Sequence, residues 1–296
     1  MAFSWILFTL MAAFTQAWRN AFQKQLSHTV DVYGVTLARF IFAFPLAITY
    51  VLILYQFDPV QIRIEFSQRY WVCIVIAGLA QIAATALMVQ LFKQKNYAIG
   101  IGLAKSEAIL AALIGVVCLQ EHLSILGWLG VLMGAIAVFL LSQGNQQHTG
   151  FSISTLMIGI ASGLCFAITS LLVRQASLEL TILPVFHRAA WILCSVIGFE
   201  CMILLLFLSI FSRQTLIALW QQCILTVKVS CCSFIASLGW FTAMSIQSVA
   251  IVKTLGQIEV VFSLLISAFF FKERLAKTDH WGLLLIVIAA IMVIWA

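Results

Sequence analysis

The chain has 296 residues, of which 64% are hydrophobic and 9% charged, with a formal net charge of +6. Soluble domains carry about 45–50% apolar and about 25% charged residues, and no monomer of this size has enough interior to hide such an excess. A soluble fold is therefore excluded. Long uninterrupted apolar runs such as 282–296 also exclude a membrane β-barrel, whose strands would alternate in polarity.

An all-α integral membrane protein is expected, with about 20 apolar residues per span. Apolar runs between polar breaks predict ten transmembrane helices, at 3–23, 32–55, 71–92, 97–119, 125–142, 152–173, 183–209, 222–246, 250–271 and 280–296. The first lacks a basic segment before its apolar stretch and is read as an uncleaved span rather than a signal peptide. The longest polar breaks fall at 56–70, 142–150 and 212–222, and none is large enough for a further domain.

The eight cysteines are scattered through apolar stretches without metal-ligand spacing, so no metal or other cofactor is expected. The basic residues form no run, and no nucleic-acid partner is expected either.

The break at 142–150 lies near the midpoint, and shifting the chain by 152 residues lays 96–123 over 248–275 without a gap. Ala98/Ala250, Leu103/Leu255, Glu107/Glu259, Leu113/Leu265, Glu121/Glu273 and Leu123/Leu275 then coincide. Apolar matches are common among membrane helices, whereas two intramembrane Glu pairs at one separation are not. Arg39 and Arg188 coincide at a similar shift, and Trp128 and Trp281 nearly so. Two five-helix units are expected, 1–143 and 152–296. An odd number of spans per unit forces the second to enter the membrane upside down, the inverted-repeat pattern of secondary transporters, whose site lies near the midplane.

The residues that recur, Arg39 and Arg188, Glu107 and Glu259, the segments Gln120-Glu121-His122-Leu123 and Lys272-Glu273-Arg274-Leu275, and Gly127, Gly130 and Gly282 after them, resemble the pattern of the EamA-type exporters of the drug/metabolite transporter superfamily. The resemblance spans nearly the whole chain. It implies ten helices in two inverted five-helix repeats, export of a small metabolite, a cell inner-membrane location and cytoplasmic termini. That family often places Pro directly after the fourth-helix Glu; Ala108 and Val260 stand there instead, so no proline kink is carried over. Basic residues by themselves place the termini outside, because Lys24, Lys93, Lys95, Arg213, Lys272, Arg274 and Lys277 fall in odd-numbered connections and Arg19, near the end of the first span, is counted with them. The family orientation is preferred here.

A charge at the bilayer centre costs about 2.5–3.5 kcal/mol on insertion scales, so intramembrane charges face protein or water. The deep ones are Arg39, Lys105, Glu107, Arg188, Glu200, Lys228, Lys253 and Glu259, and their basic excess favours carboxylate, phosphate or zwitterionic substrates. Glu107 and Glu259 are the leading candidates for binding an amine or a coupling proton; the alternative is a structural pair. Lys105, whose counterpart is Gln257, is a substrate-specific candidate. It lies about 200° round the helix from Glu107, so the two cannot line one face. Arg39 and Arg188 are anion contacts or structural clamps. Glu200 has no counterpart and is expected to pair with a base such as Lys228 or to titrate during transport.

Gln81, Thr85, Gln90, Gln16, Asn20, Ser162, Thr169, Ser170, Ser233 and Ser237 are cavity-lining candidates, with helix–helix bonding as the alternative. Trp18 and Trp240 offer rings for stacking, with membrane-interface belts as the alternative. A small-molecule substrate, the bilayer and protons are the expected partners, and the protein is expected to act as a monomer. A channel would need a filter or ring of selectivity groups. An intramembrane enzyme would need a paired constellation, and the five His and three Asp are scattered.

Overall fold

A computed structural model describes residues 3–60, 64–94, 104–119, 122–143, 153–270 and 277–295. It is helical, with no strand among the described residues. The helices are α1 (Ser4–Leu26), α2 (Val32–Ala38), α3 (Ala43–Phe57), α4 (Gln68–Gln94), α5 (Glu107–Leu119), α6 (Ile125–Gln143) and α7 (Ile153–Glu179). They continue with α8 (Val185–Phe211), α9 (Arg213–Gln221), α10 (Cys223–Ile246), α11 (Val249–Leu255), α12 (Ile258–Phe269) and α13 (Lys277–Ile294).

Among the described residues, six helical stretches are long and apolar enough to cross a membrane: Val32–Phe57, Gln68–Lys93, Ile153–Glu179, Val185–Phe211, Cys223–Ile246 and Val249–Ile266. Glu107–Val117, Ile125–Ala137 and Leu284–Ile294 are apolar but shorter. The start of the predicted 97–119 span, the segments around Glu121 and Glu273, and most of the break at 142–150 lie outside the described residues.

α1 is long yet rich in Gln, Arg and Asn, because its inner face is buried in protein rather than in lipid. It buries Arg19, Asn20 and Gln23 together with Ala12, Ala13, Ala17 and Ala21. This corrects the expectation that Arg19 belongs to a connection: the helix runs on to Leu26, and Arg19 is among the most buried large side chains of the molecule. Large apolar side chains such as Leu52, Met202 and Ile210 cover the outside, as they must where the solvent is hydrocarbon. Trp71, Trp220, Trp281 and Trp295 are exposed near helix ends, the placement of an interface belt.

The main helix pairs are α1 with α10, α4 with α7, and α6 with α13. Small residues let the backbones approach, and hydroxyls bond across. Ser162 Oγ donates to the Ala84 carbonyl at 2.9 Å and Thr169 Oγ1 to the Ala77 carbonyl at 3.3 Å, so α4 and α7 run antiparallel. The inner face of α1 recurs in α7 with a shift of 150 residues. Ala12, Ala13, Ala17, Asn20, Ala21 and Gln23 are buried, and so are Ser162, Gly163, Ala167, Ser170, Leu171 and Val173.

The predicted span 32–55 is interrupted between α2 and α3. Pro45 has no N–H to return to the Ile41 carbonyl, and a hydroxyl enters the ladder three residues earlier. Ser230 Oγ of α10 accepts from the Phe42 N–H at 3.2 Å and donates to the Ala38 carbonyl at 2.6 Å. Those two groups would bond each other in an unbroken helix.

Candidate functional site

Two turns interrupt the Glu-bearing segments. Lys105 and Ser106 form one, ahead of α5; Gly256 and Gln257 form the other, between α11 and α12. In both, the backbone tightens to three-residue bonding: the Ala108 N–H donates to the Lys105 carbonyl at 3.3 Å and the Val260 N–H to the Gln257 carbonyl at 2.9 Å. These donor–acceptor pairs are 152 residues apart, the shift that relates Glu107 to Glu259. The breaks form without proline. Instead, close approach demands small residues at both: a Cβ on Gly163 would lie 2.2 Å from Ser106 Oγ, and one on Gly256 would lie 2.3 Å from the Trp240 ring.

The first break also alters the expected geometry of Lys105. Because the chain turns between Lys105 and Glu107 rather than continuing as a helix, both side chains line one small cavity, together with Gln16, Asn20, Met88, Ala104, Phe166 and Glu259. Around this space the charges pair crosswise. The Lys105 ammonium pairs with the Glu259 carboxylate, and Lys253 Nζ meets Glu107 Oε1 at 2.7 Å. Each Glu is thus held by a Lys from the other half of the chain.

Each Glu also takes a hydrogen bond from the first long helix of the opposite half. Gln16 Nε2 donates to Glu259 Oε2 at 2.6 Å, and Asn20 Nδ2 to Glu259 Oε1 at 2.8 Å. Ser170 Oγ donates to Glu107 Oε1 at 3.0 Å. Asn20 and Ser170 are counterparts in the repeated burial pattern of α1 and α7, so the two carboxylates are supported in equivalent ways. Arg19 donates through Nη2 to Asn20 Oδ1 at 2.8 Å and orients that amide.

Trp240 connects the two pairs. Its Nε1–H donates to Gln16 Oε1 at 2.8 Å, and its ring lies 4.3 Å from Lys253 Nζ. A cation over an aromatic face is attracted to the ring quadrupole, so the indole holds Lys253 while it steers Gln16 toward Glu259.

Of the residues singled out in the sequence, Glu107, Glu259, Lys105, Lys253, Gln16, Asn20, Ser170 and Trp240 therefore meet at one place. The others lie apart from it. Arg39 is buried beside the α2–α3 break and donates through Nη1 to Thr85 Oγ1 at 2.6 Å. Arg188 stands half-buried in the first turn of α8, in the field of Arg174. Trp18 packs on Phe22 and Phe270 at 5.7 and 5.8 Å between ring centres. Gln81 and Glu200 are buried. Glu200 does not take Lys228 as its partner: Lys228 Nζ lies 5.7 Å from the Phe22 ring, and the charge acting on Glu200 is that of Arg39.

The expected basic excess is not found in the cavity lining among the described residues: Lys105 and Lys253 balance Glu107 and Glu259, Arg188 and Lys228 do not line it, and Arg19 touches it through Asn20. Sequence reasoning missed Arg19, Met88 and Phe166. The first was counted with the connection although the predicted span 3–23 contains it, and the other two carry no polar signal.

The sequence profile of the EamA-like transporter family matches residues 3–143 and again 153–295. No curated protein matches the chain. A solved structure described only as "Crystal structure of protein" shares the fold, with a TM-score of 0.68 over 98% of this chain and 96% of its own, at 16% identity.

Proposed function

The chain belongs to the EamA-like transporter family, and from that premise we propose that this membrane transporter is a secondary active exporter of a small zwitterion of the amino-acid class. It works by alternating access, as a monomer in the cell inner membrane with cytoplasmic termini. Its ten spans form two five-helix units, 1–143 and 152–296, threaded through the bilayer in opposite senses.

The crossed ion pairs, Lys105 with Glu259 and Lys253 with Glu107, carry this reading. A buried ion pair that loses one partner is strongly destabilised. A zwitterion replaces both partners at once: its ammonium takes a Glu carboxylate and its carboxylate takes the released Lys. The cavity then gains a solute without gaining net charge. Because each pair ties one half of the chain to the other, exchanging internal partners for substrate loosens the halves and permits them to rock. Substrate binding and movement are coupled through the same bonds.

Contacts at the two ends of the bundle support the opposed threading. At one end the connection after α1 meets the connection after α8, where Thr215 Oγ1 donates to Asp31 Oδ2 at 2.6 Å. At the other the connection after α3 meets the turn between α7 and α8. There His187 Nε2 bonds the Asp58 carbonyl at 2.9 Å, and Ser67 Oγ donates to Glu179 Oε2 at 2.9 Å. The first connection of each half thus faces the second connection of the other.

Proteoliposomes containing the protein and a mixture of isotope-labelled L-amino acids test the proposal. Saturable uptake with counterflow is expected, and Glu107→Gln and Glu259→Gln abolish it. Unsaturable current would indicate a channel, and normal transport by both variants would remove the carboxylates from the mechanism.

A further inference from the structure

We propose that Glu200 is the proton-carrying group of the transporter, set apart from the substrate cavity and linked to it through Arg39. The inference rests on the transport reading above and extends it from substrate to coupling ion.

Glu200 lies in the middle of α8 and is fully buried, and neither carboxyl oxygen meets a hydrogen-bond donor among the described residues. Facing it is α4, where the Cβ position of Gly78 falls 3.4 Å from Glu200 Cγ. Gly78, Gln81 and Thr85 follow one another at helical spacing and share a face of α4. Gln81 is buried with its Nε2 unbonded among the described residues. Thr85 accepts from Arg39 Nη1, while Arg39 Nε is unbonded.

Donors and a carboxyl acceptor thus lie buried along one helix face without closing on one another. Buried polar groups left in this condition are ordinarily bridged by water or meet a ligand. An isolated carboxylate in an apolar interior is the costly form of the group, and adding a proton to one oxygen removes the charge. That addition consumes nothing else, and its reversal on the far side returns the proton to water.

The surrounding charges give the proton an effect on the substrate site. Of the elements packed against α8, the charged group acting on Glu200 is Arg39, between α2 and α3. On α8 itself the Cys201 thiol is the titratable neighbour; Lys228 of α10 sits by Phe22, and Asp58 meets His187 at the helix start. Arg39 in turn stands in the fields of Glu200, Glu107 and Glu259, opposed by Arg19. While Glu200 is ionised it retains Arg39. When Glu200 is neutral, Arg39 is drawn toward Glu107 and Glu259 and competes there with Lys105 and Lys253. At the spacing that relates Arg39 to Arg188, the counterpart of Glu200 is Val51. The device belongs to one half only, as suits a role separate from the duplicated site.

Infrared titration of the purified protein in lipid nanodiscs tests the assignment without any substrate. The wild type shows a protonated-carboxyl C=O band that titrates. Glu200→Gln removes it, and Glu200→Asp keeps it with a displaced midpoint. In proteoliposomes with the labelled amino-acid mixture, the ratio of pH-gradient-driven uptake to exchange falls about tenfold in Glu200→Gln, as expected when the differential affinity of the two states for the proton is lost. A titrating band unchanged in Glu200→Gln, a wild-type midpoint in Glu200→Asp, or an unchanged flux ratio overturns the proposal. Absence of amino-acid uptake by the wild type counts against the substrate class proposed above, and the infrared result then decides Glu200.

Discussion

The Glu-bearing and the Arg-bearing segments of the two halves behave in opposite ways. Glu107 and Glu259 stand beside equivalent breaks, take an ion pair each from the other half, and accept a hydrogen bond from equivalent positions of α1 and α7. Arg39 and Arg188 recur just as plainly in the sequence, yet one is buried beside a broken helix and the other is half-buried at the start of a continuous one. Pro45 and the inserted Ser230 hydroxyl account for the difference; Cys194 stands in α8 where the Arg spacing places Pro45's counterpart. Duplication preserved the centre, where the two halves pair with each other, and released the flank, where each half meets its own neighbours.

The largest consequence is expected at the centre. Glu259→Gln strands Lys105 in the interior and lowers stability by about 3–5 kcal/mol, with transport lost; Lys105→Met added to it recovers most of the stability but not the transport. Denaturant titration and flux assays on both variants measure the two effects, whereas Arg188→Gln leaves flux within about threefold, because a half-buried charge at a helix start is weakly coupled to the cavity. Comparable losses from Arg188→Gln and Glu259→Gln would erase the distinction between centre and flank.

Gly256→Ala drives a methyl into the Trp240 ring and costs about 1–3 kcal/mol. It also shifts the Trp240 emission spectrum, since the indole must leave Lys253 or Gln16. Ser230→Ala leaves the Phe42 N–H and the Ala38 carbonyl to find each other, a loss of about 1–2 kcal/mol. Hydrogen exchange at Phe42 reports it, and no site in α8 is expected to respond in the same way. Least affected is the rim: Arg69→Ala removes an exposed pair with Glu179 and changes stability by at most about 1 kcal/mol.

Much of the candidate site was legible because it rests on rarity. Two Glu residues at a fixed shift in membrane helices stand out, and Lys105, Lys253, Gln16 and Asn20 stand out as polar groups in apolar runs. Their pairing was not legible. Lys105 and Glu107 were placed on different faces by helical periodicity, which fails at a break that no proline announces. Lys253 has Ile101 as its counterpart, so the crossed arrangement has no signature in the repeat. Arg19 was counted with the connection because polarity usually marks a span's end, whereas here it marks a face buried within the protein.

Composition and the apolar runs established a helical membrane protein, since hydrocarbon admits few structures and tolerates few charges, and the paired Glu residues pointed to the repeat that the family profile matches twice. Which Lys meets which Glu, how Ser230 relieves the broken helix, and where Arg39 and Glu200 stand were decided by tertiary packing. Those contacts join residues up to 192 positions apart, and their geometry follows from how helices lean on one another rather than from any local pattern.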